Sequence, residues 1–256
     1  MARFDEQLFT GVGVALVTLF DEGGDVDVAA TADHARRVVG AGVRGVVVAG
    51  TTGEAAALEP HERNALIEAV RAAVDVPVVA GTGAPSGRQA ARLTRAAVEL
   101  GVDAVLVLAP PFATDPRPYY ESVADSAGDV PVLAYHWPLV SAPGIDVDCL
   151  GDLPIAGVKD STGDVARLIA TLDHFAGAVY TGSQAMLSTA AALGARGAIL
   201  GIANAEPELA VRAWAGDLDA QREVQRVAVA VKRGLVGGLK EYMATQFATS
   251  SVVRMA

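Results

Sequence analysis

Lysine is scarce in this sequence: Lys159, Lys232 and Lys240 are three among 20 Lys and Arg in 256 residues. Lys159 ends the apolar run Ile155-Ala-Gly-Val158. An ammonium in apolar surroundings loses its hydration, so its pKa falls and the free amine becomes available. A free amine is the nucleophile that condenses with a ketone to form an imine. The competing reading is a lysine paired with neighbouring Asp160 or reaching out to solvent, and position alone leaves both open. Lys232 and Lys240 fall in a C-terminal helical stretch, where a solvated head is the ordinary expectation. Tyr135 ends the preceding apolar run. By itself it reads as a packed aromatic with a satisfied hydroxyl. Beside a reactive lysine on the next strand it reads as a phenol that relays protons.

Gly50-Thr-Thr-Gly53 offers consecutive backbone N–H groups and two hydroxyls without bulk. Such a turn can hold a carboxylate, or it can be a tight turn capped by threonines. His136 follows Tyr135, so strand alternation turns it away from Tyr135's face and makes it structural. His34, His61 and His174 lie in helical stretches and are expected at the surface. Asp146, Asp148 and Asp152 read as a solvated loop, not a metal site. The one cysteine, Cys149, forms no internal disulfide and sits at no strand end, and no Cys/His cluster has zinc spacing.

These residues need elements to position them. Eight short apolar runs recur: 12–19, 43–49, 76–80, 103–109, 130–135, 155–159, 178–181 and 197–201. They are Val/Ile/Leu-rich and continuous rather than alternating, which suits parallel strands covered on both faces. Amphipathic stretches lie between them. Asp27 to Val39 has one apolar face. Pro60 opens a helix reaching Val74. Ser86 with Gln89 forms a capping box before a helix to Leu100. Asp115-Pro116 opens another, Asp164 starts one reaching His174, and Ser183 caps one ending before Gly194. Gly101, Gly177, Gly194 and Gly216 stand just past predicted ends. Eight βα units predict a (β/α)8 TIM barrel with a short C-terminal helical extension. A doubly wound sheet is the competitor, but no GxGxxG turn follows the first run. The barrel is assigned to residues 1–215. The extension, 216–256, carries helical stretches at 217–233 and 236–248. Barrel chemistry sits at the C-terminal ends of strands, where Lys159, Tyr135 and Gly50 to Gly53 all fall.

At that level of detail the chain resembles a known family. The carrying motifs are Gly50-Thr-Thr-Gly-Glu54, Ala80-Gly-Thr-Gly83, Tyr135 with Pro138, Gly157-Val-Lys-Asp-Ser-Thr-Gly-Asp164, Thr181-Gly-Ser183 and Gly197-Ala-Ile-Leu-Gly-Ile-Ala-Asn204. Together, and in this order, they resemble the dihydrodipicolinate synthase / N-acetylneuraminate lyase family of class I, pyruvate-handling aldolases. The resemblance implies that Lys159 is the Schiff-base lysine and Tyr135 its proton shuttle. It implies that Thr51 and Thr52 hold the keto-acid carboxylate and orient the tyrosine, and that Gly182 and Ile199 line the pocket. It also implies no metal or organic cofactor and a homo-oligomer, tetramer or dimer. Pro111 and Phe112 stand at the synthase's Tyr-Tyr pair, Thr18-Leu19 stands where many relatives have Thr-Pro, and two departures bear on substrate. Phe112 stands where a second tyrosine extends the proton relay. Val140 stands where an arginine grips the aldehyde's distal carboxylate. Both disfavour true dihydrodipicolinate synthesis. The loops at 112–117 and 138–144 are expected to set specificity.

The expected activity is therefore formation or cleavage of a 2-oxo acid from pyruvate and an aldehyde. A dehydratase of sugar-derived 2-oxo acids through the same imine is the near alternative. A non-catalytic keto-acid-binding barrel is the distant one, motivated by Phe112, Val140 and a chain closing at Val253-Arg-Met-Ala256, shorter than many relatives. The balance of 20 basic to 30 acidic residues gives a net charge of −10. It disfavours nucleic acid and anionic membranes as partners, so any anion must be held by local geometry. Asp5 and Glu6 oppose a signal peptide, and polar residues interrupt the longest uncharged window, 175–195. A cytoplasmic location is expected.

Overall fold

The computed structural model describes residues 8–231 and 236–255. Asp5, Glu6, Lys232 and Arg233 lie outside the described residues. Eight parallel strands close a barrel in chain order. They are β1 Gly11–Ala15, β2 Val46–Val48, β3 Val78–Gly81, β4 Ala104–Leu108, β5 Val132–His136, β6 Gly157–Asp160, β7 Ala178–Thr181 and β8 Gly197–Leu200. Closure pairs Gly11 with Gly197 and Val14 with Leu200. The fold is the expected TIM barrel. Most strands are shorter than their apolar runs: the runs at 43–49, 76–80, 130–135 and 155–159 begin two or three residues before the strand, and the run at 12–19 continues past β1 into buried loop. Leu16, Val17 and Leu19, after β1, are buried without being strand.

The outer layer comprises α1 Val28–Gly40, α2 Pro60–Ala73, α3 Gly87–Glu99, α4 Arg117–Ala127, α5 Val165–His174, α6 Leu187–Ala192 and α7 Pro207–Trp214. Helices α8 Leu218–Ala230 and α9 Gly237–Phe247 follow. Asp27, Ser86 and Asp164 cap α1, α3 and α5 through their side chains. Between β5 and β6 the connection is a 3-10 helix, Val147–Asp152, which carries the exposed Asp148 and Asp152. No helix among the described residues is long and apolar enough to cross a membrane.

Four local expectations are corrected. Ser183 makes no side-chain cap; a 3-10 turn, Gln184–Met186, intervenes before α6. Its N–H turns back to the Thr181 hydroxyl at 3.1 Å. Gly177 is no left-handed terminator, unlike Gly101, Gly194 and Gly216 with φ of 76°, 92° and 96°. It is a close-packing glycine, since a Cβ there would lie 2.4 Å from the Phe175 ring. His34 is buried on the inner face of α1, its Nε2 3.3 Å from Asn204 Oδ1. Lys240 is not solvated: it is wholly buried and paired with Glu54 at 2.6 Å. Both buried polar side chains have partners far away in the chain, which local periodicity does not reveal.

Strand alternation sends one set of side chains inward. Ala15, Val47, Val79, Leu106, Leu133, Tyr135, Tyr180 and Ile199 form a cluster inside the barrel, separate from the larger one between strands and helices. Phe9 plugs the floor of that interior. Its ring lies 4.9 Å from that of Tyr180, whose hydroxyl donates to the Phe9 carbonyl at 2.8 Å. Gly45 makes room, since a Cβ there would lie 2.5 Å from the Phe9 ring. The inner cluster is the support on which the barrel mouth rests. Phe9→Ala should therefore lower unfolding free energy by about 3–5 kcal/mol. Urea unfolding followed by circular dichroism checks this; an unchanged midpoint would remove Phe9 from the core.

Candidate active site

Tyr135 and Lys159 are Cα partners on adjacent strands β5 and β6, both facing inward. The Lys159 amine lies over the tyrosine ring, 4.2 Å from its centroid. Lys159 is 5% exposed, and burial lowers its pKa from the ordinary lysine value to about 7. The pairing with Asp160 that the sequence left open is not made. Alternation turns Asp160 to the other face, where its Oδ2 accepts from Arg167 Nε at 2.6 Å. Its Oδ1 accepts from the Thr162 N–H and hydroxyl. The amine is thus both shielded and unpaired by its neighbour, the state that favours nucleophilic reaction with a carbonyl.

Burial raises the Tyr135 pKa well above the ordinary phenol value; hydrogen bonds with Ser161 and Thr51 oppose the rise. The hydroxyl therefore stays protonated, and Ser161 Oγ lies 3.3 Å from it. Thr51 belongs to the turn after β2. That turn closes through the Glu54 N–H to the Thr51 carbonyl (3.1 Å) and the Ala55 N–H to the Gly50 carbonyl (3.2 Å). Thr18 supports it from the β1 loop, donating to the Gly53 carbonyl at 2.7 Å. Thr52 reaches across to the end of β8: a Cβ on Gly201 would lie 3.3 Å from its hydroxyl.

Gly182 follows β7, beside the lysine. A Cβ there would lie 1.9 Å from Ser161 Oγ and 3.0 Å from Lys159 Cε. Only glycine leaves space for both side chains. Ile199, wholly buried on β8, packs in the inner cluster with Tyr135. Thus Lys159, Tyr135, Thr51 and Gly182 converge, with Thr52 at the β8 end and Ile199 in the shared interior. Two neighbours escaped the sequence reading. Ser161 is two residues beyond Lys159 and Trp137 two beyond Tyr135; strand alternation could have placed both on the inner side. The Trp137 ring stacks with that of Tyr135 at 6.1 Å.

His136 faces outward as expected. Its Nδ1 accepts from the Ile145 N–H at 2.9 Å. Burial, with the nearby Arg167 cation, lowers its pKa to about 4, so it remains neutral. Phe112 lies outside the convergence, 90% exposed on a backbone with φ of 61°. Leu139 is also exposed and Val140 is 38% exposed. His61, His174 and Cys149 are exposed. Among the described residues no group of three His, Cys, Asp or Glu side chains could hold a metal ion.

Residues 8–243 match the family model described as the dihydrodipicolinate synthetase family. The chain is 37% identical over 243 residues to an uncharacterised DapA-like lyase of Halobacterium salinarum, spanning 88% of this chain and 80% of that one. It is 35% identical over 263 residues to a probable mitochondrial 4-hydroxy-2-oxoglutarate aldolase of Emericella nidulans, spanning 90% and 83%. Its fold superposes with a TM-score of 0.89 on the chloride-inhibited dihydrodipicolinate synthase of Acinetobacter baumannii crystallised with pyruvate. That match is 27% identical and covers 96% of this chain and 92% of the other.

A lowered lysine pKa makes a signed prediction. The Lys159 amine is uncharged above pH 7 and protonated below it. Reductive methylation by formaldehyde and cyanoborohydride, read by peptide mass spectrometry, should label Lys159 half-maximally near pH 7. Labelling should fall as the pH drops further. A half-point near the ordinary lysine value would show that burial does not hold the amine neutral.

Proposed function

The chain belongs to the dihydrodipicolinate synthetase family and is a pyruvate-dependent lyase of class I aldolase type, and from that premise we propose that it forms or cleaves a 2-oxo acid from pyruvate and an aldehyde. The observation that carries this is the buried Lys159 amine, without a carboxylate partner, 4.2 Å from the centre of the Tyr135 ring at the C-terminal end of the barrel.

The Lys159 amine attacks the C2 carbonyl of pyruvate. The Tyr135 hydroxyl gives a proton to the carbinolamine oxygen, which leaves as water, and the imine remains. The Tyr135 phenolate left by that step takes up a C3 proton, and the protonated imine accepts the electron pair released. The resulting enamine attacks the aldehyde carbon, forming the new C–C bond as the Tyr135 hydroxyl passes that proton to the aldehyde oxygen. Water hydrolyses the product imine and frees the lysine. Cleavage is the same sequence reversed. The Thr51 and Thr52 hydroxyls and the turn's N–H groups hold the pyruvate carboxylate, and Gly182 leaves room beside the imine. No step of this sequence draws on a metal or organic cofactor.

The acceptor is an aldehyde without a second carboxylate. Nearby cations are already engaged: Arg167 with Asp160, and Arg117 with Asp152 at 3.2 Å. Val140 brings no charge, and Trp137 and Leu108 present apolar surface against the inner cluster. Removing a charge-assisted fork from a dicarboxylate's site forfeits its strongest contact. The exposed Phe112 and Leu139 also support a homo-oligomer, dimer or tetramer, that covers part of this rim. Light scattering should give a mass at least twice that of the chain; a monomer at micromolar concentration would refute it.

Pyruvate with borohydride should leave a stable adduct on Lys159, and Lys159→Ala should abolish it. Tyr135→Phe should lower kcat roughly 10²- to 10⁴-fold while the fold persists. With a panel of aldehydes, uncharged acceptors should turn over faster than carboxylate-bearing ones. The opposite order would restore the synthase reading, and loss of water from a sugar acid without C–C cleavage would indicate the dehydratase. An intact barrel with no adduct would defeat the imine mechanism.

A further inference from the structure

Glu54 closes the threonine turn with a wholly buried carboxylate, on a left-handed backbone with φ of 54°. A glutamate adopts that conformation only when its surroundings hold it there. One oxygen is engaged by α9 and the other by the segment that follows it. Oε1 accepts from Lys240 Nζ at 2.6 Å. Oε2 accepts from the backbone N–H groups of Arg254 and Met255 at 2.7 and 2.8 Å. Lys240 also donates to the Val252 carbonyl at 2.8 Å.

The Arg254 guanidinium extends the clasp around the turn. It makes a two-pronged contact with Glu62 of α2, 2.7 Å on each side. It donates to the carbonyls of Ala57 at 3.1 Å and Gly24 at 2.7 Å. Lys240 and Arg254 share the Phe20 ring, 4.2 and 4.7 Å from its centroid. From α2, Arg63 holds the carbonyls of Ala55 (2.5 Å) and Gly81 (3.1 Å). One side of the turn thus carries the threonines and meets Tyr135 through Thr51. Its other end is anchored by residues 186 to 201 positions later.

We infer that Glu54, Lys240 and Arg254 are positioning residues for the substrate carboxylate, acting through the Thr51-Thr52 turn. None of them touches the reacting atoms. The inference rests on the aldolase reading given above, in which that turn receives pyruvate. Their action is preorganisation. A turn already held in its binding shape spares pyruvate the ordering that a loose turn would demand, so the effect falls on binding rather than on bond making. The inner strands β5 and β6 hold Lys159 independently of the clasp. Loosening the turn therefore leaves the imine-forming amine where it is.

The test compares wild type with Arg254→Ala, Arg254→Lys and the double variant Glu54→Gln/Lys240→Met in the full chain. The double variant removes both buried charges together, because losing one alone leaves the other unpaired. Melting by circular dichroism confirms that each folds. Amide hydrogen exchange of the peptide spanning the turn should quicken roughly tenfold or more in Arg254→Ala and in the double variant. The peptide spanning β6 should not change. The pyruvate concentration that half-saturates borohydride trapping should rise about ten- to a hundredfold at an unchanged maximal extent. Arg254→Lys, which keeps the charge but not the fork, should fall between. Unchanged exchange at the turn in folded variants would overturn the inference. So would a lower maximal extent with unchanged half-saturation. If wild type forms no adduct, the aldolase reading fails by itself, and the exchange comparison still decides whether the clasp orders the turn.

Discussion

An amine that must react as a free base has to be taken out of water without being given a counter-ion. Lys159 satisfies both demands, and much of the barrel can be understood as the means. Its ammonium form is penalised inside the barrel, which brings its pKa to about 7. The unfolded chain carries an ordinary lysine. Below pH 7 both states are protonated, and the buried charge weighs against the native state by on the order of a few kcal/mol. The penalty relaxes as the pH rises from the native value towards the unfolded one. The fold sustains that loss because the interior beneath the lysine is closed by Leu133, Tyr180, Ile199 and the Phe9 plug. A reactive group of this kind needs a core strong enough to carry it.

Lys240 makes the comparison explicit. It is equally hidden, and burial lowers its pKa too, but there the Glu54 carboxylate opposes the shift. Two buried lysines in one chain thus differ in whether a carboxylate meets them. Asp160 is adjacent to Lys159 in sequence, yet strand alternation sends it outward to Arg167. Glu54 is 186 positions from Lys240 and meets it at 2.6 Å. Neighbourhood in the chain and neighbourhood in space point in contrary directions at both sites.

That contrast explains what a reader of the sequence can and cannot see. The eight strands are visible because strands covered on both faces are continuous runs of branched apolar residues, and the capped helices between them carry local signals at Asp27, Ser86 and Asp164. Lys159 and Tyr135 are visible because a strand's end and its alternation are local properties. Lys240 and His34 carry no local sign of burial, because the groups that make it tolerable, Glu54 and Asn204, lie far along the chain. Ser183 has the right type for a cap, but the chain inserts a 3-10 turn first. Thr51's contact with Tyr135 comes from the resemblance of a motif, not from spacing, since no local rule brings β2's loop to β5.

In the proposed mechanism, the two halves of the site are built from different material. The imine half stands on strand ends: Tyr135 and Lys159 are registered by the ladder itself, and a shift of one residue would turn each to the opposite face. The acceptor half is expected on the loops, where Phe112 sits on a left-handed backbone and Leu139 is exposed. Loops of that kind can change length and side chain without disturbing the ladder. The carboxylate turn is intermediate. It is a loop, but Thr18, Arg63 and, through Glu54, α9 and the segment after it hold it by hydrogen bonds. On the proposed reading, such an arrangement keeps the site for the part common to every substrate, a 2-oxo acid's carboxylate and ketone, fixed while the part that distinguishes substrates varies. In a chain with net charge −10, the fixed part has a second reason for rigidity. The overall field repels a carboxylate, so attraction must come from dipoles aimed at short range, and dipoles lose that advantage when the backbone carrying them wanders.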